Sequence, residues 1–420
     1  MIDSKSIMKK DKINLTSIII YILGFIGLLI SFFYGADGTG TPVSGDFKAT
    51  WPFVLQLKER FLFDPTPWTI HFPLNYYFLS RLSLIIDNVD HIRFFYCLIS
   101  LTMPFLFFLC LKKKYRNENL SNLFILSAII LFTPSFIYSA IWANDNIISY
   151  IFILLAWYFL FEYKNMLKEK KENQIFVYIS FFFLALACYS RQYYAILFVF
   201  HLLYFFKNLK FVDFLKVSIF CFLLSVPGII YLYLFPNLLN LLTFSGNIYN
   251  TVLANVASLL IYTFPIIIIN IFFSDLKLFN LKKILIYFLI AIVIFSTILI
   301  NFEPEKYWAN GGVFLYFSKL IFNNYLLLYF AFIINFVFLL ILFHKTKDII
   351  IILALIFIFR GILVNQMYFE PLFFLLFFLF TQSKFKTIFL KNKTTSLLLV
   401  GYHVLYYLVA VTDVIYLIKL

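Results

Sequence analysis

Long uninterrupted apolar runs recur along the whole sequence, and many of them reach about 18 residues or more. Continuous runs of that length are typical of membrane-spanning helices, whereas an outer-membrane barrel shows segments of roughly ten alternating residues. The composition agrees, because 63% of the 420 residues are hydrophobic and only 13% are charged. A soluble domain cannot bury so many apolar side chains. The sequence therefore predicts an all-α polytopic membrane protein.

The first apolar run extends from about Leu15 to Tyr34 and follows four lysines. It is too long for the apolar region of a secretory signal peptide, so we interpret it as a retained first span. Further runs fall at about 93–111, 121–141, 147–163, 175–189, 192–206, 214–234, 252–273, 284–300, 320–343, 348–365, 367–382 and 395–416. We expect about 12 or 13 transmembrane helices in one integral-membrane domain, residues 1–420.

The positive charges lie in short clusters between the apolar runs. Lys and Arg number 34 against 20 acidic residues, which gives a formal net charge of +14. Clusters of this kind mark cytoplasmic connections, and this distribution argues against nucleic-acid binding. With the N-terminus inside, the predicted cytoplasmic connections are 112–116, 164–171, 207–210, 277–283, 345–347 and 384–393. All of these clusters then fall on one side of the membrane.

The opposite, non-cytoplasmic face receives acids, amides and aromatic residues from several connections. The longest of these is a loop at about 35–92, which holds five of the 12 prolines and which we expect to be folded. Shorter polar stretches follow at 142–146, 190–193, 302–318 and 365–368. Ionisable groups at the ends of spans are costly unless they face a cavity, so this face is the predicted functional site.

Several classes of site are disfavoured by what the sequence contains. The four cysteines show no paired spacing, and the five histidines show no tight metal-ligand spacing. No glycine-rich phosphate loop occurs, which argues against a nucleotide-sugar donor and against ATP-driven transport. We therefore expect neither a metal site nor another cofactor.

The first loop carries the most distinctive segment. Asp46 follows the first span and precedes Trp51 and Pro52, and Phe63-Asp64-Pro65, Trp68 and His71-Phe72-Pro73 come after them. This layout resembles integral-membrane glycosyltransferases of the C superfold (GT-C). Further stretches are similar to the dolichyl-phosphate-glucose α-1,2-glucosyltransferase family, in that family's order: 134–145, Arg191-Gln192, Lys306-Tyr307, Ala309-Asn310, Tyr316 and Tyr368-Phe369.

The resemblance implies that Asp46 is a general base, which removes the proton from an acceptor hydroxyl while a lipid phosphate leaves the anomeric carbon of the sugar. It also implies a polyprenyl- or dolichyl-phosphate hexose as donor, by resemblance glucose, and a lipid-linked or membrane-adjacent glycan as acceptor. Phe47 and Thr50 stand where the family has a second acid and a His, and Met367 replaces a basic residue. The sugar and the linkage therefore stay open, and so does the membrane: a bacterial inner or plasma membrane with undecaprenyl carriers, or the endoplasmic reticulum.

The remaining candidates are substrate-binding residues, each with a structural alternative. Arg191, beside Gln192, can hold the donor phosphate through two hydrogen bonds or can snorkel at a helix end. Asp145 can bind sugar hydroxyls or stabilise a helix N-terminus. Trp51 and Trp68 can stack on sugar rings. The other predicted contacts, which also fit turns, interfaces or solvated loops, are Asp64, His71, Lys306, Asn310 and Tyr368.

Two other functions fit the same pattern. One is a mannosyl- or aminopentosyltransferase of the same superfold. The other is a multi-helix transporter or lipid-glycan flippase, a class that usually shows two related halves and ionisable groups near the membrane midplane. The clustering of polar residues at one face favours the enzyme.

Overall fold

The computed structural model describes residues 13–35, 45–60, 71–171, 173–236, 247–274, 280–303, 313–343, 345–358 and 370–411. These residues form helices, turns and short connections, and none of them forms a strand. The helices are α1 (Leu15–Tyr34), α2 (Gly45–Glu59), α3 (Leu74–Leu82), α4 (Val89–Ser100), α5 (Thr102–Lys114), α6 (Leu120–Ser127), α7 (Pro134–Ile141), α8 (Asp145–Lys168), α9 (Ile175–Ser190), α10 (Ala195–Asn208), α11 (Phe211–Leu234), α12 (Ile248–Ser258), α13 (Leu260–Phe273), α14 (Leu281–Ile300), α15 (Val313–Phe322), α16 (Leu326–Leu342), α17 (Thr346–Ile358), α18 (Glu370–Leu375), α19 (Thr387–Lys391) and α20 (Lys393–Val411).

Seven helical stretches of the described residues are long and apolar enough to cross a membrane, or up to nine if each of two bent pairs is one span. The seven are Leu15–Tyr34, Val89–Lys114, Asp145–Lys168, Phe211–Leu234, Ile248–Phe273, Leu281–Ile300 and Lys393–Val411. The prediction of an all-α polytopic membrane protein is confirmed. The count of 12 or 13 spans stays a prediction, because α9 and α16 are shorter and some predicted runs are broken.

One of these breaks has a clear cause in the sequence. The predicted run 121–141 consists of two stretches, Leu120–Phe132 and Pro134–Ile141, that meet at an angle of 65°. Thr133 between them is extended, with φ −96° and ψ 123°. A residue before proline is driven out of the helical conformation, and the proline itself starts the next helix well.

The second bend separates Glu370–Phe380 from Lys384–Lys391 at 96°. The first of these stretches ends in a π-helical turn, Leu376–Phe380. Its last carbonyls are bound by a lysine from another span, since Lys114 Nζ donates to Phe378 O at 3.0 Å and to Leu379 O at 2.7 Å. A helix end inside a bundle needs such partners.

Several of the lysine clusters meet at one end of the bundle, which we name the lysine-rich end. Lys113 pairs with Glu162, and Arg116 Nη1 lies 2.9 Å from Glu169 Oε1. Other contacts at this end join Lys345 Nζ to Gln382 Oε1 at 2.5 Å, Asn122 Nδ2 to Leu390 O at 3.2 Å and Lys393 Nζ to Thr16 Oγ1 at 3.5 Å. The chain therefore brings together connections that are far apart in the sequence.

The opposite end, which we name the polar end, holds the start of α8. A helix of 24 residues is about 36 Å long, so Asp145 lies a full membrane thickness away from Lys168. The described parts of the predicted loop at 35–92 lie at this end and contain α2 and α3. Phe47, Val54 and Leu57 bury one side of α2 against the bundle. The loop is thus folded and helical over the residues described.

Candidate functional site

Asp145 is fixed at the polar end by the connection between α7 and α8. Asn144 caps α8, since its side chain accepts a hydrogen bond from the backbone N–H two residues on, at 3.1 Å. Ala143, before it, has a positive φ of 50°. Asn75 Nδ2 donates to Ala143 O at 3.2 Å, and Tyr96 OH donates to Asn144 O at 2.6 Å. These bonds hold the tight turn and set Asp145 in the first turn of α8.

Arg191 meets this carboxylate from the neighbouring helix. It ends α9 in an extended conformation, with φ −143° and ψ 111°. Its Nε lies 2.7 Å from Asp145 Oδ1, and the two side chains are only 2% and 4% exposed. The burial excludes a snorkelling arginine. Because an isolated buried charge is very costly, each residue requires the other.

His71 completes a group of three predicted residues. Its Nε2 lies 3.9 Å from Asp145 Oδ2, and its ring lies edge-on to Tyr193, with the ring centroids 5.7 Å apart. Burial, together with the positive charge of Arg191, lowers the pKa of His71 from 6.5 to about 4, although Asp145 acts in the opposite direction. His71 is therefore neutral at physiological pH. Within the described residues its Nδ1 is buried without a hydrogen-bond partner.

Gln192 joins this group through the backbone. Its Oε1 accepts a hydrogen bond from Phe72 N at 3.4 Å. This contact ties the short helical turn after Arg191 to the end of the first loop, next to His71. Four of the predicted substrate-binding residues, from three separate parts of the chain, therefore lie together: His71, Asp145, Arg191 and Gln192. We name them the polar cluster.

The proposed base lies on a helix that packs close to this cluster. Asp46 is in the first turn of α2, and its side chain lies outside the described residues. Its neighbour Phe47 stacks on Trp51, with centroids 5.2 Å apart, and contacts Trp142 at 6.3 Å. Trp142 precedes Asp145 by three residues, so α2 packs against the turn that carries Asp145. Trp51 is partly buried against the core, and its stacking on sugar stays a prediction.

The other predicted site residues lie outside the described residues. Asp64 and Trp68 fall in 61–70, Lys306 and Asn310 fall in 304–312, and Tyr368 falls in 359–369. Their roles stay predictions.

The sequence reading missed Arg93, which links α4, α2 and the start of α8. Its guanidinium lies 3.9 Å from the centroid of the Trp142 ring and 5.7 Å from that of Phe47. Its Nε donates to Ile141 O at 3.0 Å, and its Nη1 lies 2.9 Å from Asp90 Oδ1. A lone arginine at the start of an apolar run was the available signal, and it pointed to a buried partner.

Glu370 was also missed. It is completely buried, and its Oε2 accepts a hydrogen bond from Ser135 N at 2.8 Å. The available signal was a lone acid in the apolar run 367–382.

The polar cluster combines the permanent positive charge of Arg191 with the Asp145 carboxylate that compensates it. A guanidinium has the donor geometry for carboxylate and phosphate oxygens. The neutral His71 ring can donate one hydrogen bond and accept another. Among the described residues, no three His, Cys, Asp or Glu side chains form a group that could hold a metal ion. Comparison of the chain with family models, with curated proteins and with solved structures finds no match.

Proposed function

We propose that this protein is an integral-membrane glycosyltransferase that moves a hexose, by resemblance glucose, from a polyprenyl- or dolichyl-phosphate carrier to a lipid-linked or membrane-adjacent glycan. The observation that carries the proposal is the buried pair of Arg191 and Asp145, with His71 beside it, at the end of the bundle opposite the lysines. Such a charge, held next to a polar histidine, suits the recognition of a lipid phosphate.

Arg191 binds the donor phosphate in this proposal. A guanidinium stays charged even when it is buried, and it can donate two parallel hydrogen bonds to phosphate oxygens. Asp145 holds the guanidinium of Arg191 in place and compensates its charge before the donor binds. When the phosphate binds, it replaces the negative charge of Asp145 next to Arg191, and Asp145 becomes free to accept hydrogen bonds from the sugar.

Asp46 acts as the general base. It takes the proton from the acceptor hydroxyl, whose oxygen bonds to the anomeric carbon while the bond from that carbon to the phosphate oxygen breaks. The electron pair of the broken bond leaves with the lipid phosphate, which Arg191 stabilises. The contacts of Phe47 with Trp51 and Trp142 keep the helix that carries Asp46 close to the polar cluster.

The lipid part of the donor needs an apolar surface. A groove of about 270 Å³ opens between α1, α5 and the 121–132 segment. It is lined by Ile18, Tyr21, Ile22, Phe25, Leu101, Pro104, Phe124 and Leu131. The groove lies in the half of α1 nearer the lysine-rich end, roughly 10 Å or more along the helix from Phe32 at the polar end. The long tail of a polyprenyl carrier is able to extend from the polar end into this groove.

The orientation follows from the charges. The lysine-rich end faces the cytoplasm in this proposal, because positive connections are retained on that side. The polar cluster then faces the non-cytoplasmic side of an inner or plasma membrane, or of the endoplasmic reticulum. A lipid-phosphate sugar presented on that side is at the same end of the bundle as Arg191.

A donor competition assay tests the proposal. Purified protein in lipid nanodiscs receives the same glycan acceptor with either a polyprenyl-phosphate hexose or a nucleotide hexose. We expect transfer from the lipid-phosphate donor only, and no transfer by the Asp46→Asn variant. Transfer from the nucleotide sugar alone would contradict both the donor class and the resemblance to the C superfold.

A lipid-glycan flippase is the second candidate, and the two bent helical stretches favour it. Transporters often use broken helices around a buried polar group, and Glu370 begins one bent stretch and contacts the start of α7 in the other. Vesicles that contain the purified protein distinguish the candidates. A flippase moves a fluorescent polyprenyl-phosphate hexose across the bilayer without an acceptor, whereas the transferase consumes the donor only when the acceptor is present.

A further inference from the structure

Glu370 is a buried acid that the proposed transfer reaction does not use. It lies at the start of α18 and has no solvent exposure. The described stretch continues from Glu370 to Leu379, whose carbonyl is bound by Lys114 at the lysine-rich end. Nine residues of helix place the carboxylate roughly 13 Å inward from that contact. Glu370 therefore lies well inside the bundle.

The described surroundings of the carboxylate contain hydrogen-bond donors but no positive charge. Oε2 accepts one backbone hydrogen bond, from Ser135 N in the first turn of α7. Oε1 is buried and makes no hydrogen bond within the described residues. No Lys, Arg or His of the described part of the chain forms an ion pair with Glu370.

The titratable groups near Glu370 come from three helices. Tyr150 of α8, Tyr262 of α13 and Tyr402 of α20 lie within electrostatic reach of the carboxylate. The hydroxyls of Ser135 and Tyr262 also lie close to the carboxylate, although the Tyr262 hydroxyl has no partner at hydrogen-bond geometry among the described residues. His403, also on α20, lies edge-on to Phe374 of the same helix as Glu370, with ring centroids 4.8 Å apart.

We propose that Glu370 is a proton-binding site inside the membrane, in which the acid carries its proton at neutral pH. A carboxylate without a cationic partner is so costly in an apolar interior that the group neutralises instead. In the neutral form, one oxygen keeps the bond from Ser135 N while the other carries the proton. The site does not depend on glycosyl transfer.

The proton on Glu370 affects the contact between α7 and α18. Glu370 joins the starts of α7 and α18, which belong to the two bent stretches. Loss of the proton would leave a negative charge between them, and only the N-terminal end of α7 and the nearby hydroxyls could compensate it. The joint between the bent stretches is therefore stable while the acid is protonated.

Infrared spectroscopy of the full-length protein in lipid nanodiscs tests the proposal. At neutral pH we expect the C=O stretching band of a protonated carboxylic acid in the wild type. The band should be lost in Glu370→Gln and shifted in Glu370→Asp. The matched control Glu162→Gln, which removes an acid paired with Lys113, should keep the band. Glu370→Gln should also keep the thermal midpoint of the wild type, because a neutral amide replaces a neutral acid of the same shape.

Several results would overturn the proposal. The first is a wild-type spectrum without a protonated-acid band at neutral pH, which decides the question even if the variants fail to fold. The second is a band that persists in Glu370→Gln. The third is a band that appears only after sodium and potassium are removed, since a metal cation would then be the bound species.

Discussion

Arg191 Nε and Asp145 Oδ1 lie 2.7 Å apart and join the C-terminal end of α9 to the first turn of α8. The two helices are consecutive and antiparallel, and their short connection lies at the lysine-rich end. The ion pair therefore closes the far end of this helical hairpin. Ser190 Oγ adds a bond to Asp145 O at 3.1 Å. The contact that we propose as the source of a phosphate-binding charge thus also holds two spans together.

The first prediction concerns the energy of this pair. Arg191→Met leaves the Asp145 carboxylate buried without a cation, which should lower the free energy of unfolding by about 3 to 5 kcal/mol. The double variant Arg191→Met with Asp145→Leu removes both charges and should recover most of the loss. Unfolding midpoints in detergent measure both effects. The control Lys216→Ala removes a largely exposed lysine that pairs with Asp213 and should change stability by less than about 1 kcal/mol.

Equal instability of the single and double variants would show that the lost packing, and not the unpaired charge, causes the effect. The effect of these variants on donor binding would then have to be measured separately from their effect on stability. If the double variant is stable but has lost donor binding, the pair serves both purposes.

The second prediction is a pH dependence of stability due to His71. The pKa of His71 is about 4 in the folded protein, below its ordinary value of 6.5, mainly because of burial and then because of Arg191. The unfolded chain therefore binds more protons between these two values, and stability falls as the pH drops through this window. Above pH 6.5, where His71 is neutral in both states, the folded protein should be about 3 kcal/mol more stable than below pH 4.

The variant His71→Gln should remove this part of the pH dependence. Thermal midpoints recorded from neutral to acidic pH measure it. The control His91→Gln changes an exposed histidine and should leave the wild-type profile unchanged. An identical acid profile in wild type and His71→Gln would show that another group titrates in this window.

The sequence predicted the secondary structure well where apolar length decides it. The first span was expected at Leu15 to Tyr34, and α1 has those bounds. The bends were not predicted, because an apolar run has the same composition whether it is straight or broken. Pro134 was the one local signal for the bend at Thr133. At the 96° bend after Phe380, the helix carbonyls are bound by Lys114, which comes from a distant span.

The sequence predicted on which face of the membrane the candidate site lies. It did not predict which of the site residues contact each other. Positive connections set the orientation of successive spans, so Asp145, Arg191 and His71 were expected on one side. Their separation within that side depends on how α8, α9 and the first loop pack, which no local pattern encodes. Arg93 and Glu370 were missed for a related reason. A single ionisable residue in an apolar run indicates a buried polar group, but the sequence does not show what surrounds it: Arg93 pairs with Asp90, whereas Glu370 forms no ion pair within the described residues.

The third prediction concerns the aromatic contacts of Arg93. Arg93→Ala should lower the free energy of unfolding by about 2 kcal/mol, through loss of the contact with Trp142 and the bond to Ile141 O. Arg93→Lys should recover only part of this, because an ammonium group cannot stack as a planar guanidinium does. Hydrogen exchange should become faster in α2 and stay unchanged in α9. The exposed Arg81→Ala is the control, and equal effects of the two alanine variants would contradict the assignment.

The fourth prediction is the orientation of the bundle. In a cysteine-free background, Asp87→Cys lies at the polar end and Lys168→Cys lies at the lysine-rich end, and both positions are exposed. A membrane-impermeant maleimide should label the first only from the non-cytoplasmic side and the second only from the cytoplasmic side. The reverse pattern would put the donor sugar on the wrong side and would contradict the proposed reaction.

The fifth prediction concerns the base. Asp46→Asn keeps the shape of the side chain but cannot accept a proton, so turnover should fall by about two orders of magnitude or more. The KM for the donor should change little, because in the proposed reaction Arg191, and not Asp46, binds the phosphate. Asp64→Asn is the matched control in the same loop and should cost much less. Turnover and KM are measured with the lipid-phosphate donor, at equal expression and equal thermal midpoint. If both variants lose the same activity, or if Asp46→Asn stays near the wild type, then another group takes the proton, and His71, whose buried Nδ1 has no hydrogen-bond partner in the described residues, is the next to be substituted.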